Sequence, residues 1–187
     1  RPRPPRSRRG GSSAASDVYK SQRRGERAVP GEGTFDGTTL CMDHHCRMLV
    51  NETVNRFNRR TAPAESITVP AGDEIRGCAN LPQDMRIWVG IILVAVGADK
   101  VLKNGLRFQV LILPSAGAGF ELQGVDDKGV LSGAILNVDA KRFAQCLRLT
   151  HAICYYSTQA RTIFRPLRLA QTEHKFFTLR HLIVGCG

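Results

Sequence analysis

The sequence predicts an all-β domain, a sandwich or barrel of about eight strands, preceded by a basic tail. Three observations carry this. From residue 36 onward, short apolar runs are separated by Gly, Pro, Asn and Asp. Those runs recur every 8 to 15 residues or so, the rhythm of strands joined by turns. Residues 1–35 differ in kind: they are rich in Arg, Pro, Gly and Ser, with Val18, Tyr19, Val29 and Phe35 as the sizeable apolar side chains.

Taken in order, residues 1–35 read as a disordered arm and hinge, because so few apolar groups cannot offset the entropy of ordering. The Pro30-Gly31-Glu32-Gly33 run marks the hinge, and the folded domain is expected over residues 36–187. Leu40 to Phe57 is ambiguous. Leu40, Cys46, Leu49, Val50, Val54 and Phe57 roughly stripe a helix, yet Met48, Val50 and Val54 also suit one face of a strand. Ser66-Ile67-Thr68-Val69 reads as a strand closed by Pro70, and Met85 to Val96 as one long buried strand. Further strands are predicted at Leu106–Leu113, Phe120–Leu122, Val130–Val138, within Cys146–Tyr156, at Thr162–Leu169 and at Lys175–Val184. Asp139 to Phe143 is the one short helical turn, with Asp139 as its N-cap.

The 187 residues carry a net charge of +11. Its distribution is uneven. Arg1, Arg3, Arg6, Arg8, Arg9, Lys20, Arg23, Arg24 and Arg27 face only Asp17 and Glu26 within residues 1–30, so that segment holds +7 and the remainder +4. Guanidinium groups on a flexible chain follow a phosphate backbone without demanding a duplex shape, which predicts sequence-independent, salt-sensitive nucleic-acid binding. A second basic patch, Asn55-Arg56-Phe57-Asn58-Arg59-Arg60, reads either as an extension of that surface through Arg56, Arg59 and Arg60 or as a solvated loop.

Other chemistry is thinly represented. Cys41, His44, His45 and Cys46 resemble half of a zinc site, and the nearest second pair, His151 and Cys154, falls in a predicted strand with opposite parity. Metal binding at Cys41/His44/His45/Cys46 stays open, and no metal or cofactor is expected. The six cysteines read as reduced thiols in a cytosolic setting. Asp126-Asp127 and Asp73-Glu74 suit turns, Ser115 lacks a nucleophile elbow, and the glycines near it lack the Lys-Ser/Thr pair of a phosphate loop. No enzyme is expected. No apolar stretch is long enough for a membrane helix, and prolines 2, 4 and 5 with glycines 10 and 11 oppose an amphipathic presequence.

One stretch carries a resemblance. Ser66-Ile67-Thr68-Val69-Pro70 followed by Met85-Arg86-Ile87-Trp88-Val89-Gly90 and Ile91 to Val96 resembles the early strands of bromovirus and cucumovirus coat proteins, and of ilarvirus-like relatives in the Bromoviridae. Leu147 to Tyr156, a polar turn and Phe176 to Val184 look like their C-terminal strands. The resemblance covers some 30 residues as recognisable pattern; residues 98–140 do not align. It implies an eight-stranded antiparallel jelly roll, many copies of which tile an icosahedral capsid, with the arm on genomic single-stranded RNA. On that reading the protein is structural, located in the virion and in the host cytoplasm during assembly, with no membrane partner. The alternative is a ribosomal or mitochondrial-ribosomal protein whose basic tail enters ribosomal RNA.

Overall fold

A computed structural model describes residues 37–58, 65–78, 80–96, 99–115, 118–126, 128–158, 163 and 166–178. Strand β1 (Thr38–Cys41) leads into helix α1 (His44–Asn58). Asp43 is the N-cap: its Oδ1 accepts from the Cys46 N–H at 2.7 Å, satisfying one of the orphan donors of the first turn. The ambiguity over Leu40 to Phe57 thus resolves as a strand followed by a helix. The helix buries Arg47, Val50, Asn51 and Asn55, a face recurring at helical spacing but mostly polar.

Strands β2 (Ser66–Val69) and β3 (Met85–Trp88) pair antiparallel, with Ile67 opposite Ile87. The long strand expected over Met85 to Val96 is in fact two. Gly90 adopts φ +95°, and the Ile91 N–H bonds back to the Trp88 carbonyl at 3.3 Å, turning the chain into β4 (Ile92–Ala95). Apolar content alone hid this turn, because both flanks are buried; the residue that permits left-handed φ was its only mark.

Strands β5 (Arg107–Ile112), β6 (Phe120–Val125) and β7 (Leu131–Val138) follow as a meander, and Asp126 makes the β6–β7 turn by accepting from the Lys128 and Val130 N–H groups. Asp139 caps α2 (Ala140–Cys146), accepting from the Arg142 N–H, as its position predicted. The chain then enters β8 (Leu147–Leu149). These strands form a five-stranded antiparallel sheet in the order β7-β6-β5-β4-β8. Its core includes Ile87, Leu93, Val110, Phe120, Leu122, Phe143 and Leu149, with the Phe120 and Phe143 rings stacked at 3.7 Å between centroids. Close approach is also used: a Cβ on Gly72 would stand 2.7 Å from the Ala144 carbonyl carbon, so only glycine lets the segment after β2 lie on α2.

The expected single strand over Cys146 to Tyr156 is divided between two sheets. After β8 the chain turns, and β9 (Ala152–Cys154) joins a three-stranded sheet in the order β10-β1-β9, where β10 is Leu167–Leu169. Both pairings are parallel, with Cys41 opposite Cys154 and Thr38 opposite Leu167. A short 3-10 turn, Tyr155–Thr158, follows β9. Within the strand expected at Lys175–Val184, residues 175–178 are not in a strand and the remainder lies outside the described residues.

The all-β jelly roll is therefore corrected to a mixed α/β fold. A jelly roll pairs its strands antiparallel, whereas β1 lies between two parallel neighbours, both drawn from beyond residue 150. Parallel pairs need long crossovers. Here the β1-to-β9 crossover contains α1 and the whole five-stranded sheet.

Candidate functional site

In a parallel sheet flanked by helices, ligands collect outside the carboxyl ends of the strands. Here that edge is made by Cys41, Cys154, the start of α1 and the 3-10 turn. Asn51, wholly buried on α1, fastens the helix to the start of β9: its side chain donates to the Leu149 and Ala152 carbonyls at 3.4 and 3.2 Å and accepts from the Ala152 N–H at 2.7 Å. Gln171, at φ +57°, closes the edge from the other side. Its Oε1 accepts from the Met42 and Asp43 N–H groups at 2.9 and 3.3 Å, and its Nε2 donates to the Asp43 carboxylate. Burial opposes the Asp43 charge, but bonds from the Cys46 N–H, from Gln171 and from the His45 N–H outweigh it and hold the carboxyl below its usual range.

An aromatic surface stands on this edge. Tyr156 is 52% exposed and its hydroxyl bonds to His44 Nε2; the rings meet edge-on at 5.5 Å. Burial, with Arg47 nearby, lowers the His44 pKa, which favours the neutral imidazole. Burial, with Cys154 nearby, pushes the Tyr156 phenol up to about 12, so it stays protonated. The segment after β10 adds Phe176, 63% exposed, with the Lys175 ammonium 4.8 Å from its ring centroid and His174 beside it. Phe177 packs edge-on against Tyr155 at 5.7 Å, which ties this segment to the 3-10 turn that carries Tyr156. Neutral aromatic faces beside a cation suit stacking with bases next to a phosphate. Sequence reasoning missed this surface: Tyr156 was assigned to a strand, Phe176 to another, and no periodicity links them.

Two arginines are buried and, among the described residues, bond to backbone carbonyls rather than to a carboxylate. Arg148 donates to the Asn80, Ala144, Gln145 and Leu147 carbonyls, closing the end of α2, and burial lowers its pKa to about 10. Arg47 donates to the Leu81 carbonyl. Both join α1 and α2 to the loop before β3, so these cations serve the fold.

Of the residues expected to bind nucleic acid, Arg1, Arg3, Arg6, Arg8, Arg9, Lys20, Arg23, Arg24, Arg27, Arg59 and Arg60 lie outside the described residues. Arg56 is exposed near the end of α1, ion-paired to Glu52 one turn earlier. Its neighbour Asn55 is buried and exchanges two hydrogen bonds of 2.9 Å with the Arg86 backbone. Residues 55–58 of that stretch are thus a helix end with one structural side and not a loop. His45 is exposed, and no set of three metal-ligating side chains converges among the described residues.

No family profile and no curated protein sequence matches the chain. Solved structures do. The Pif1 helicase of Candida albicans is 12% identical and superposes with a TM-score of 0.51 over 94% of this chain and 47% of its own. A Pif1 structure described as DNA unwinding at forked dsDNA by two coordinating helicases is 14% identical, with a TM-score of 0.50 over 94% of this chain and 45% of its own. The likeness is one of fold, and the chain spans just under half the length of each helicase. It overturns the coat-protein resemblance and, with it, the capsid and its many-copy shell. The ribosomal alternative finds no support either. The expectation of a non-enzymatic protein is contradicted by the same likeness, since both of these solved structures are helicases. The viral pattern misled because Ser66 to Val69 and Met85 to Val96 are β-branched and aromatic strand sequence of a kind that many small sheets use.

Proposed function

We propose that this chain is the part of a Pif1-like helicase that grips single-stranded nucleic acid. The observation that carries the reading is the shared fold across 94% of the chain, in a protein of net charge +11. In the proposed complex, bases stack on Tyr156 and Phe176, while Lys175 and the arm residues Arg1, Arg3, Arg6, Arg8, Arg9, Lys20, Arg23, Arg24 and Arg27 neutralise phosphates. Arg59 and Arg60 extend that contact; Arg56 contributes less because Glu52 already holds it. Strand separation is assigned to the whole protein, as in the helicase described as unwinding forked DNA.

Fluorescence anisotropy with a labelled oligothymidylate tests this. Binding should weaken as salt rises, with a log–log slope of about −0.7 for each phosphate neutralised. Replacing Arg23, Arg24 and Arg27 by alanine should flatten the slope. Tyr156→Ala and Phe176→Ala should each weaken binding about 5- to 150-fold, the range for losing one stacked base. Salt-insensitive or absent binding refutes the proposal, and unchanged affinity in both aromatic variants refutes the placement.

A further inference from the structure

Beyond nucleic acid, the same edge holds a second kind of chemistry. Cys41 ends β1, wholly buried, and Cys46 lies in the first turn of α1, partly exposed, packed against Cys41 in a small core with Val50 and Ala152. The two thiols are neighbours at this corner, five residues apart in the chain and sharing that small core. We propose that Cys46 and Cys41 form a peroxide-reactive dithiol, with Cys46 as the attacking sulfur and Cys41 as the resolving one, which closes to a disulfide across the β1–α1 corner.

The division of labour follows from the surroundings. Cys46 is reachable from solvent in the first turn of α1, whereas Cys41 is wholly buried, and the neighbouring Cys46 together with burial pushes the Cys41 thiol up. The partly exposed sulfur is therefore the one a peroxide can reach, and the protonated one is shielded from it. Cys154 faces Cys41 across the parallel pair, but it is buried, burial raises its pKa, and its sulfur lies 3.6 Å from His44 Nδ1. It is the wrong choice for first attack.

The step balances with a hydroperoxide as oxidant. The Cys46 thiolate attacks one peroxide oxygen, the O–O bond breaks, and the departing alkoxide takes the proton that Cys46 gave up, leaving a sulfenic acid. The Cys41 sulfur then displaces that hydroxyl as water, using its own proton, and the S–S bond forms. Two thiols are oxidised and one peroxide is reduced to an alcohol and water.

The test uses the full chain, hydrogen peroxide, alkylation of the remaining thiols, and tryptic digestion without reduction. No Lys or Arg stands between Arg27 and Arg47, so Cys41 and Cys46 share one peptide, whereas Cys154 lies between Arg148 and Arg161. The expected product is the 28–47 peptide two hydrogen atoms lighter, unalkylated, and restored by dithiothreitol. Cys46→Ser should abolish it. Cys41→Ala should leave a sulfenic acid at Cys46, trapped by dimedone, and Cys78, also partly exposed, should react more slowly. Full alkylation of the 28–47 peptide overturns the proposal, as does its crosslinking to any other peptide or oxidation of Cys78 first. These readouts do not depend on nucleic acid, so they stand or fall apart from the helicase reading.

Discussion

Replacing Asn51 by alanine should cost this fold about 2–4 kcal/mol, and the figure can be assembled from the structure. Asn51 is fully buried and joins α1 to the junction where the chain leaves β8 for β9, nearly a hundred residues away. Its loss leaves the Ala152 N–H without its 2.7 Å acceptor. One buried unsatisfied donor costs about 1–3 kcal/mol. The Leu149 and Ala152 carbonyls lose longer bonds, at 3.4 and 3.2 Å, and together add about 1 kcal/mol. Urea unfolding followed by circular dichroism measures the difference. Asn51→Leu separates causes: it keeps the volume but not the bonds, and should be as damaging as alanine. If Asn51→Leu lies within about 0.5 kcal/mol of the native chain, the cost is packing and the hydrogen-bond reasoning fails. If both variants are silent, α1 does not hold the β8–β9 junction, and the proposed platform at Tyr156 loses its support.

Asp99→Asn should lower stability by about 1 kcal/mol at neutral pH, because Asp99 accepts two bonds from Arg142, at 2.6 and 2.9 Å, at a partly exposed site. The Arg142 bond, first, and the Leu102 and Val101 N–H groups hold its carboxyl well below the usual range. A depressed carboxyl contributes stability above its unfolded value near 3.8 and loses it as pH falls through the folded value. Thermal melts of the two proteins should therefore converge towards acid pH, and a constant gap from pH 7 down to pH 2 contradicts this. Gly72→Ala should destabilise by about 1–3 kcal/mol, since its methyl group meets the backbone of Ala144 and Gln145 at 2.7 Å. A melting temperature unchanged by that substitution shows that the segment after β2 can move off α2.

Much of the local structure was legible because its signals are local. Pro70 after a β-branched run, the Asp139 cap and the Asp126 turn each act within a few residues, so the pattern and its cause occupy the same window. The two long misreadings share an opposite cause. In Met85 to Val96 and in Cys146 to Tyr156, buried apolar residues continue across a turn, and hydropathy does not register the change of direction. Helix α1 is ambiguous in sequence because its buried face consists largely of Arg47, Asn51 and Asn55, whose side chains bond to backbone far along the chain.

The charge of +11, its concentration in the arm and most of the meander from Arg107 to Cys146 are legible without any coordinates. Composition and short-range hydrogen bonding set those, and neither needs a distant partner. The pairing of β1 with strands beyond residue 150, and the gathering of Cys41, Cys46, Cys154, His44 and Tyr156 at one edge, come into view only in the folded chain. Parallel pairing across a long crossover leaves no periodicity in either strand. The residues that meet there are chosen by register and by the buried amide of Asn51, and such contacts exist only once the chain has folded.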